Sequence, residues 1–388
     1  MFKSLSPIEI ALIKKIGENG RGGGGGSSSA SPKDVNFYDY DGTIVASYSL
    51  SEVQSLTSLS DGPTHDGLTF QGWNYTLDKV KAFTRPMNVG AMYITDDGKT
   101  RLHIRIAAEG RMNVPLYISQ TVANGVTIDW GDGSATETLA GTGNVNTTHT
   151  YVNIGDYVIT LDPVDGCELG FGDGTDFYGV MGSTDFNNVV YCNFLQYVEI
   201  GNGVTSIGTH AFAMCCSLAS ITIPDGVTSI GSYVFSNCVS LASITIPDSV
   251  NSIDQGAFFA CASLASITIP DSVTSISSSV SGQCLSLASI TIPDSVEGLG
   301  DDAFTSCVSL ASITIPDSVV FFGSAFSSCC GMAEYHLKPT TPPELYDTNA
   351  FQNIPSDCII YVPQGCLEAY QTATNWATYA NKMQEEPA

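Results

Sequence analysis

Basic residues are scarce in this 388-residue chain, and none occurs between Arg111 and Lys338. The 14 Lys and Arg stand against 39 Asp and Glu, which gives a formal net charge of −25. We therefore expect no nucleic-acid partner, because binding to phosphates needs basic side chains. Anionic membrane surfaces are disfavoured for the same reason. The acidic surface favours solubility through self-repulsion, and binding of a cation or of a basic partner is the alternative.

Long apolar runs are missing as well. No stretch reaches the length of about 18 apolar residues that a membrane span needs. The N-terminus has neither the long apolar core nor the cleavage site of a signal peptide. We therefore expect no membrane insertion and no ordinary export signal.

A catalytic constellation is also missing. None of the five histidines lies in a recognisable nucleophile or metal motif; they are His65, His103, His149, His210 and His336. We predict a non-enzymatic protein that needs no cofactor. A glycan-active enzyme with accessory modules is the alternative, and the absence of a paired-carboxylate domain counts against it.

The dominant feature that is present is a repeat. The string Ser-Leu-Ala-Ser-Ile-Thr-Ile-Pro-Asp occurs five times with a 23-residue period. A fixed period of this size predicts a solenoid. Leu-x-x-Ile-x-Ile places alternate apolar residues on one face of a short strand, and the Pro-Asp that follows ends this strand at a corner. We predict six coils over residues 195–332, with a cap at each end.

One cysteine recurs in each coil, at Cys192, Cys215, Cys238, Cys261, Cys284, Cys307 and Cys329. A zinc or catalytic site would need ligands that converge, whereas these cysteines recur as the Leu and Ile do. Cysteine packs well as a small apolar residue. We therefore predict reduced, buried thiols, with disulfides between adjacent coils as the alternative. In the pairs Cys215-Cys216 and Cys329-Cys330, one member should face the core and the other should face outward.

These repeats resemble the leucine-rich repeats of BspA-like bacterial surface proteins, over roughly residues 190–380. Ile359-Ile360-Tyr361-Val362-Pro363, followed by Glu368-Ala369-Tyr370 and by Trp376 and Tyr379-Ala380, is similar to the terminal cap of that family. Physically, this segment predicts a last strand and an amphipathic helix that close the open end of the stack. The resemblance implies adhesion or recognition.

The N-terminal segment predicts a docking element. Ser6-Pro7-Ile8-Glu9 is a capping box with Pro at the first helical position. The helix predicted over 7–16 places Ile8, Leu12 and Ile16 on one side, and the Gly/Ser tract at 22–31 predicts a flexible linker. This arrangement suggests attachment to a larger particle or assembly, or to copies of the chain itself as a homo-oligomer. A frayed terminus without a role is the alternative.

Two β modules are predicted before the repeats. Residues 35–45 form a hairpin pattern with Asp-Gly at the turn, and with 67–74 they resemble the internalin B-repeat, a β-grasp-like module. Trp130-Gly131-Asp132-Gly133 followed by His149-Thr150-Tyr151 resembles the PKD domain, an immunoglobulin-like sandwich. We interpret the acidic, Gly-rich loops as tight turns, and calcium binding is the weaker alternative.

The predicted fold class is mainly β: a leucine-rich repeat solenoid with 23-residue repeats, preceded by an immunoglobulin-like PKD sandwich and a small β-grasp-like module. The predicted divisions are a docking helix and linker at 1–32, the internalin-B-repeat-like module at 33–86, the PKD-like sandwich at 87–165, a connector and entry cap at 166–190, the solenoid at 191–337 and the C-terminal cap at 338–388.

Two surfaces of the solenoid are candidates for ligand binding. The strand half of the repeat is almost invariant and presents a row of outward threonines, among them Thr245, Thr268 and Thr291. The opposite half varies between copies, at Tyr233, Phe259, Asp301, Asp302, Phe321 and Phe322. Exposed aromatic and acidic side chains suit neutral glycans or basic protein patches. Alternatively, these positions vary because packing does not restrain them.

The pattern as a whole predicts a non-enzymatic recognition protein on a phage virion, either a tail fibre or a capsid-attached receptor-binding protein. We expect it to act at the virion surface or outside the cell and to contact a glycan or protein of the host surface. A BspA-like bacterial cell-surface adhesin is the alternative.

Overall fold

The computed structural model describes residues 33–38, 44–62, 64, 68–73, 77–81, 87–95, 97–107, 113–171, 178–183 and 194–387. Ile8, Leu12 and Ile16, the Gly/Ser tract and Cys192 lie outside these residues. The chain divides into two compact units, residues 1–97 and 98–388.

The first unit contains a four-stranded sheet in the order β2-β1-β4-β3. The antiparallel pairing of β1 with β2 confirms the predicted hairpin, and β1 also pairs in parallel with β4. Its small core includes the side chains of Phe37 and Trp73. The elements are β1 (Val35–Tyr38), β2 (Ile44–Tyr48), α1 (Leu50–Val53), β3 (Leu68–Trp73), α2 (Leu77–Lys81) and β4 (Met87–Thr95).

The second unit begins with two groups of antiparallel strands. One group joins β11, β6 and β9, and the other contains β5, β10, β7 and β8. Alternate residues of β5 and β6 are buried, because successive side chains of a strand point to opposite faces. The strands are β5 (Thr100–Ile106), β6 (Asn113–Gln120), β7 (Val126–Asp129), β8 (Glu137–Thr138), β9 (Gly143–Thr150), β10 (Gly155–Pro163), β11 (Leu169–Phe171), β12 (Tyr178–Gly179) and β13 (Gly182–Ser183).

The repeats form the predicted solenoid, with two parallel rows of short strands. In the first row, strands of neighbouring coils pair in parallel within three separate groups, for example Ser266 with Ser289, and the coil of Thr245 joins the row through an isolated bridge to Thr222. This row contains β14 (Leu195–Glu199), β16 (Ser220–Thr222), β19 (Ser266–Thr268), β21 (Ser289–Thr291), β23 (Ser312–Ile315), β25 (Glu334–Leu337), β27 (Ile359–Val362) and β28 (Met383–Glu385). The second contains β15 (Ser206–Ile207), β17 (Ser229–Ile230), β18 (Ser252–Ile253), β20 (Ser275–Ile276), β22 (Gly298–Leu299), β24 (Phe321–Phe322) and β26 (Glu344–Leu345).

The sheet of the preceding strands continues directly into the solenoid. β14 pairs antiparallel with β5 on one side and parallel with β16 on the other. A single hydrophobic cluster accordingly extends from Leu102 to Met383. The β5 sheet therefore covers the first coil, which would otherwise expose an open strand edge.

The other end of the solenoid is closed by β27, α3 (Leu367–Thr372), a 3-10 helix (Trp376–Lys382) and β28. The buried Tyr370 hydroxyl donates to the Pro339 carbonyl at 2.7 Å, and the Trp376 indole donates to the Pro343 carbonyl at 2.6 Å. The last strand is β28 rather than the predicted β27, because the chain returns after the helices to pair with β27. None of the helices in the described ranges is long and apolar enough to cross a membrane.

Two side-chain ladders connect successive coils. The thiols of Cys261, Cys284 and Cys307 each donate to a backbone carbonyl of the preceding coil, at 3.1–3.2 Å. The predicted burial of Cys215 and Cys329 is confirmed, and so is the outward placement of Cys330. Burial raises the pKa of Cys329 to about 12. A second ladder joins serine hydroxyls to valine carbonyls one coil back, from Ser249, Ser272, Ser295 and Ser318.

Phenylalanine rings stack inside the half of the coil that carries the cysteines. The rings of Phe212, Phe235 and Phe258 follow one another with centroid distances of 5.7 and 5.5 Å. The stack is interrupted at Ser281, which takes the next position at the 23-residue spacing and is fully buried. Its hydroxyl has no hydrogen-bond partner within the described residues. Phenylalanine resumes at Phe304, whose ring stacks on Phe326.

Candidate functional site

The outward threonines lie on the first row of strands, which we call the strand face. Thr245, Thr268, Thr291 and Thr314 are exposed and occupy the same position in successive coils. An outward serine lies two residues before each of them, so each coil presents two hydroxyl groups. Within these coils the strand residues on this face carry no charge.

A shallow groove on the strand face lies toward its C-terminal end. Its lining includes Thr291, Thr314, Asp294, Asp317 and Lys338, and we call it the C-terminal groove. The threonines belong to β21 and β23, and each aspartate follows the Pro that ends its strand. Lys338 directly follows β25 and takes the position that Pro316 has one coil earlier.

An aromatic pair continues the threonine row beyond this groove. His336 is in register with Thr314, and Tyr361 is in register with His336. The two rings stack with a centroid distance of 5.1 Å and an interplanar angle of 18°. The row therefore changes from hydroxyl groups to aromatic rings at the cap.

Glu386 anchors both polar side chains at this end. Its Oε1 lies 3.0 Å from His336 Nδ1 and 3.0 Å from Lys338 Nζ. Burial opposes ionisation of Glu386, but the hydrogen bonds from Lys338 and His336 outweigh it and lower the pKa of this carboxyl group. The Lys338 charge is therefore compensated from the side of the cap.

A second histidine–tyrosine pair bounds the N-terminal end of the strand face. His103 on β5 lies opposite Tyr197 on β14, and their ring centroids are 5.3 Å apart. Glu199 Oε1 lies 3.2 Å from His103 Nε2. Burial raises the pKa of Tyr197 well above its ordinary value.

On the opposite half of the coil, the variable aromatic residues pack against glycines of neighbouring coils. A Cβ atom added to Gly256 would lie 2.3 Å from the Tyr233 ring, and one added to Gly298 would lie 1.9 Å from the Phe321 ring. Phe259 covers Gly282 less tightly, at 3.2 Å. Tyr233, Phe259 and Phe321 are accordingly half-buried. These rings fill space that a neighbouring coil leaves open.

Phe322 is a core residue, and its prediction as a ligand-binding candidate is wrong. It is fully buried and packs against Phe351 and Trp376. The physical reason is strand alternation, because Phe322 pairs with the buried Leu299 and Leu345 while its neighbour Phe321 faces outward. The 23-residue spacing from Leu299 is the signal in the sequence that indicates this position.

Asp301 and Asp302 are both exposed. Asp301 Oδ1 accepts a hydrogen bond from the Ser324 backbone at 3.2 Å, so this carboxylate contributes to the join between two coils. Asp302 has a φ of 56°, and Tyr233 occupies the equivalent position with the same φ. The backbone turns sharply here, in the left-handed region that few non-glycine residues adopt.

The acidic loop before β8 is organised by its own hydrogen bonds. Asp132 accepts one from the Ser134 backbone at 3.0 Å, and its other oxygen lies 2.8 Å from His149 Nε2. These contacts, that of Ser134 first, lower the pKa of Asp132 to about 2. The His149 ring also stacks on Trp130 at 4.7 Å. In the part of the chain that the structure describes, no three His, Cys, Asp or Glu side chains converge as metal ligands would.

The sequence analysis identified part of the C-terminal groove. It included Thr291 but omitted Asp294, Asp317 and Lys338. The 23-residue register would have placed the two aspartates beside the threonine row. It would not have indicated the lysine, which replaces the repeated proline only once.

The repeat region matches the description "BspA type leucine rich repeat region", in six copies, over residues 182–304 and 256–373. The repeat region of this chain belongs to the BspA type leucine-rich repeat family. The strand face and the C-terminal groove are therefore surfaces of BspA-type repeats.

Several solved structures of leucine-rich repeat proteins match parts of the chain. A leucine-rich repeat protein from Bacteroides ovatus is 30% identical over 45% of this chain, with a TM-score of 0.40, and the match spans half of that protein. The leucine-rich repeat protein of T. pallidum is 30% identical over 40% of this chain and 73% of its own length, with a TM-score of 0.36. A leucine-rich cell surface protein from Faecalibacterium prausnitzii is 22% identical over 61% of this chain and 86% of its own, with a TM-score of 0.32. No curated protein matches the chain.

Proposed function

We propose that this chain is a non-enzymatic recognition protein that adheres to a cell surface through the strand face of its solenoid. The observation that carries this proposal is the row of exposed hydroxyl groups from Thr245 to Thr314, which leads into the C-terminal groove. A repeated, regular surface is suited to an extended ligand that makes similar contacts in each coil. The BspA-type repeats support the same role.

The chemistry of the strand face supports a polar ligand without a high charge. Each hydroxyl can both donate and accept a hydrogen bond, and strands of adjacent coils lie about 4.8 Å apart. Within the coils that carry the repeated threonines, no basic side chain is available to bind phosphate or sulfate groups. A host glycan, or a protein surface rich in polar groups, fits this description.

For the site of display, we propose a phage virion, to which the chain attaches through its N-terminal segment. The predicted helix with Ile8, Leu12 and Ile16, followed by a flexible Gly/Ser tract, supports a tethered arrangement. The second candidate is a bacterial cell surface, which the membership in the BspA type family favours.

Recognition is tested with the full chain, fluorescently labelled, on whole bacterial cells. We expect binding that a Thr245→Arg, Thr268→Arg, Thr291→Arg variant loses at least tenfold, because three arginines cover the strand face. The matched control is Asn251→Arg, Gln255→Arg, Gln283→Arg, which adds the same charge to exposed positions outside the strand face. Equal loss in both variants would locate recognition elsewhere, and no binding by the unmodified chain would contradict the proposal.

The site of display is tested separately by immunogold electron microscopy. Antibody against the chain should label virions from a lysate of infected cells. Label on the envelope of producing cells, with bare virions, would replace the virion by the bacterial surface without affecting the recognition proposal.

A further inference from the structure

We propose that the C-terminal groove binds a neutral glycan, with Asp294 and Asp317 accepting hydrogen bonds from sugar hydroxyl groups and with the His336–Tyr361 stack as the adjoining ring platform. This inference rests on the proposed recognition function and specifies its ligand and its position on the strand face. It places specificity in the last coils rather than along the whole row of threonines.

The two carboxylates are available to a ligand. Neither Asp294 nor Asp317 makes a hydrogen bond or an ion pair with another described residue, whereas the exposed Asp301 is used for a contact between coils. Equivalent positions in neighbouring coils lie about 4.8 Å apart. A single sugar ring with adjacent hydroxyl groups can therefore reach both carboxylates.

The threonine side chains provide the complementary groups. Thr291 and Thr314 are exposed in the groove and, within the described residues, are not engaged by other side chains. A hydroxyl group can donate to a ring or glycosidic oxygen and accept from a sugar hydroxyl group. Ionised carboxylates can only accept hydrogen bonds, so aspartate and threonine together provide both acceptors and donors.

The charges of the groove disfavour an anionic ligand. Asp294 and Asp317 repel an anionic glycan, whereas each carboxylate can accept a hydrogen bond from the hydroxyl group of a neutral sugar. Because Lys338 is also held by Glu386 at 3.0 Å, it does not offer an uncompensated positive charge to an anion. A polar ligand without net charge meets no such repulsion.

The ring platform suits the apolar face of a sugar. His336 directly adjoins Thr314 in register, and its ring is held parallel to that of Tyr361. Stacking covers one face of each ring, so a sugar would contact the His336 face on the side of Thr314. Aromatic faces carry partial negative charge and attract the weakly positive C–H groups of a sugar ring. A chain of sugars that crosses the groove would thus meet hydroxyl groups, carboxylates and then rings, which is the mixture of apolar surface and few polar groups found in small-molecule sites.

The experiment uses the full chain and immobilised polysaccharides: mannan, galactan and a β-glucan as neutral probes, polygalacturonate as an acidic probe and polylysine as a basic one. We expect binding to at least one neutral polymer and none to polygalacturonate. The variant Asp294→Asn, Asp317→Asn should weaken this binding at least tenfold, and Tyr361→Ala should weaken it severalfold.

The repeat provides a matched control in Asp248→Asn, Asp271→Asn, which makes the same change at equivalent positions outside the groove. This control should bind as the unmodified chain does. An equal loss in the control would show that the whole strand face binds and would overturn the assignment to the groove. Binding to polylysine alone, or to none of the neutral polymers, would overturn the ligand class, while cell binding that persists would leave the recognition function standing.

Discussion

The two halves of each coil contact the neighbouring coils in different ways. The strand half repeats its residues almost without change, and its serines bond to the coil before through Val227, Val250 and their equivalents. The opposite half changes from copy to copy, and its aromatic rings fill the space above glycines. Part of the variation between copies therefore reflects compensation between neighbouring coils, and the groove that we propose for recognition lies on the invariant half.

The largest expected effect is a difference in stability between alanine variants of two adjacent phenylalanines in the opposite half, Phe258 and Phe259. Phe258→Ala removes a fully buried ring that stacks on Phe235 at 5.5 Å. We expect it to lower the free energy of unfolding by about 3–5 kcal/mol. Phe259→Ala removes a half-buried ring and should cost only about 1 kcal/mol. Urea unfolding followed by circular dichroism measures both, and similar losses would contradict the division between interior and edge.

A second pair of neighbours compares thiol reactivity. The thiolate is the reactive form of cysteine, and the raised pKa of Cys329, about 12, keeps this form rare at pH 8. We expect iodoacetamide to label the exposed Cys330 at least about 100-fold faster than the buried Cys329. Mass spectrometry of the labelled peptides gives both rates. In urea above the unfolding midpoint the difference should disappear, and its persistence there would indicate a cause other than folding.

The compensation between coils is tested at Gly256. The substitution Gly256→Ala places a methyl group 2.3 Å from the Tyr233 ring, at a φ of 64°. We expect a loss of about 1–3 kcal/mol in the free energy of unfolding. Gly365→Ala is the control for backbone strain alone, because its φ is 78° and no atom lies within 4 Å. In the double variant with Tyr233→Ala, the part of the stability loss that comes from the clash with the ring should disappear. Strictly additive losses in the free energy of unfolding would show that the Tyr233 ring and Gly256 are not coupled.

The smallest expected effect concerns the interruption of the ring stack. Ser281→Ala removes a buried hydroxyl group that has no partner within the described residues. Leaving such a group unsatisfied costs about 1–3 kcal/mol, so the variant should be more stable by about 1 kcal/mol. Ser281→Phe tests whether the stack can be completed between Phe258 and Phe304. A loss of stability in Ser281→Ala would show that the hydroxyl group is satisfied by water, which alanine cannot bind.

The sequence is sufficient to predict the features that depend on the repeat period. The strands, the buried position of Cys261 and the outward position of Thr268 all follow from the 23-residue spacing and from strand alternation. Phe322 follows from the same rule, once its register with Leu299 is counted.

The remaining features depend on contacts between distant segments. The pairing of β5 with β14 joins residues that are more than 90 positions apart, and no local pattern specifies it. The groove is similar, because Lys338 approaches Asp317 only when the last coils stack. The repeat period and the secondary-structure propensities describe a single coil. The β5–β14 junction and the C-terminal groove arise only when separate segments of the chain pack together.

The direction of the thiol ladder has a consequence for evolution. Each cysteine donates to the coil before it and each coil accepts from the one after it, so every interior unit has the same connections on both sides. Deleting or duplicating one 23-residue unit would restore all of these bonds at the new join. Recombination between near-identical copies can thus change the length of the solenoid. Each added unit would move the groove away from the β5 sheet by about 4.8 Å.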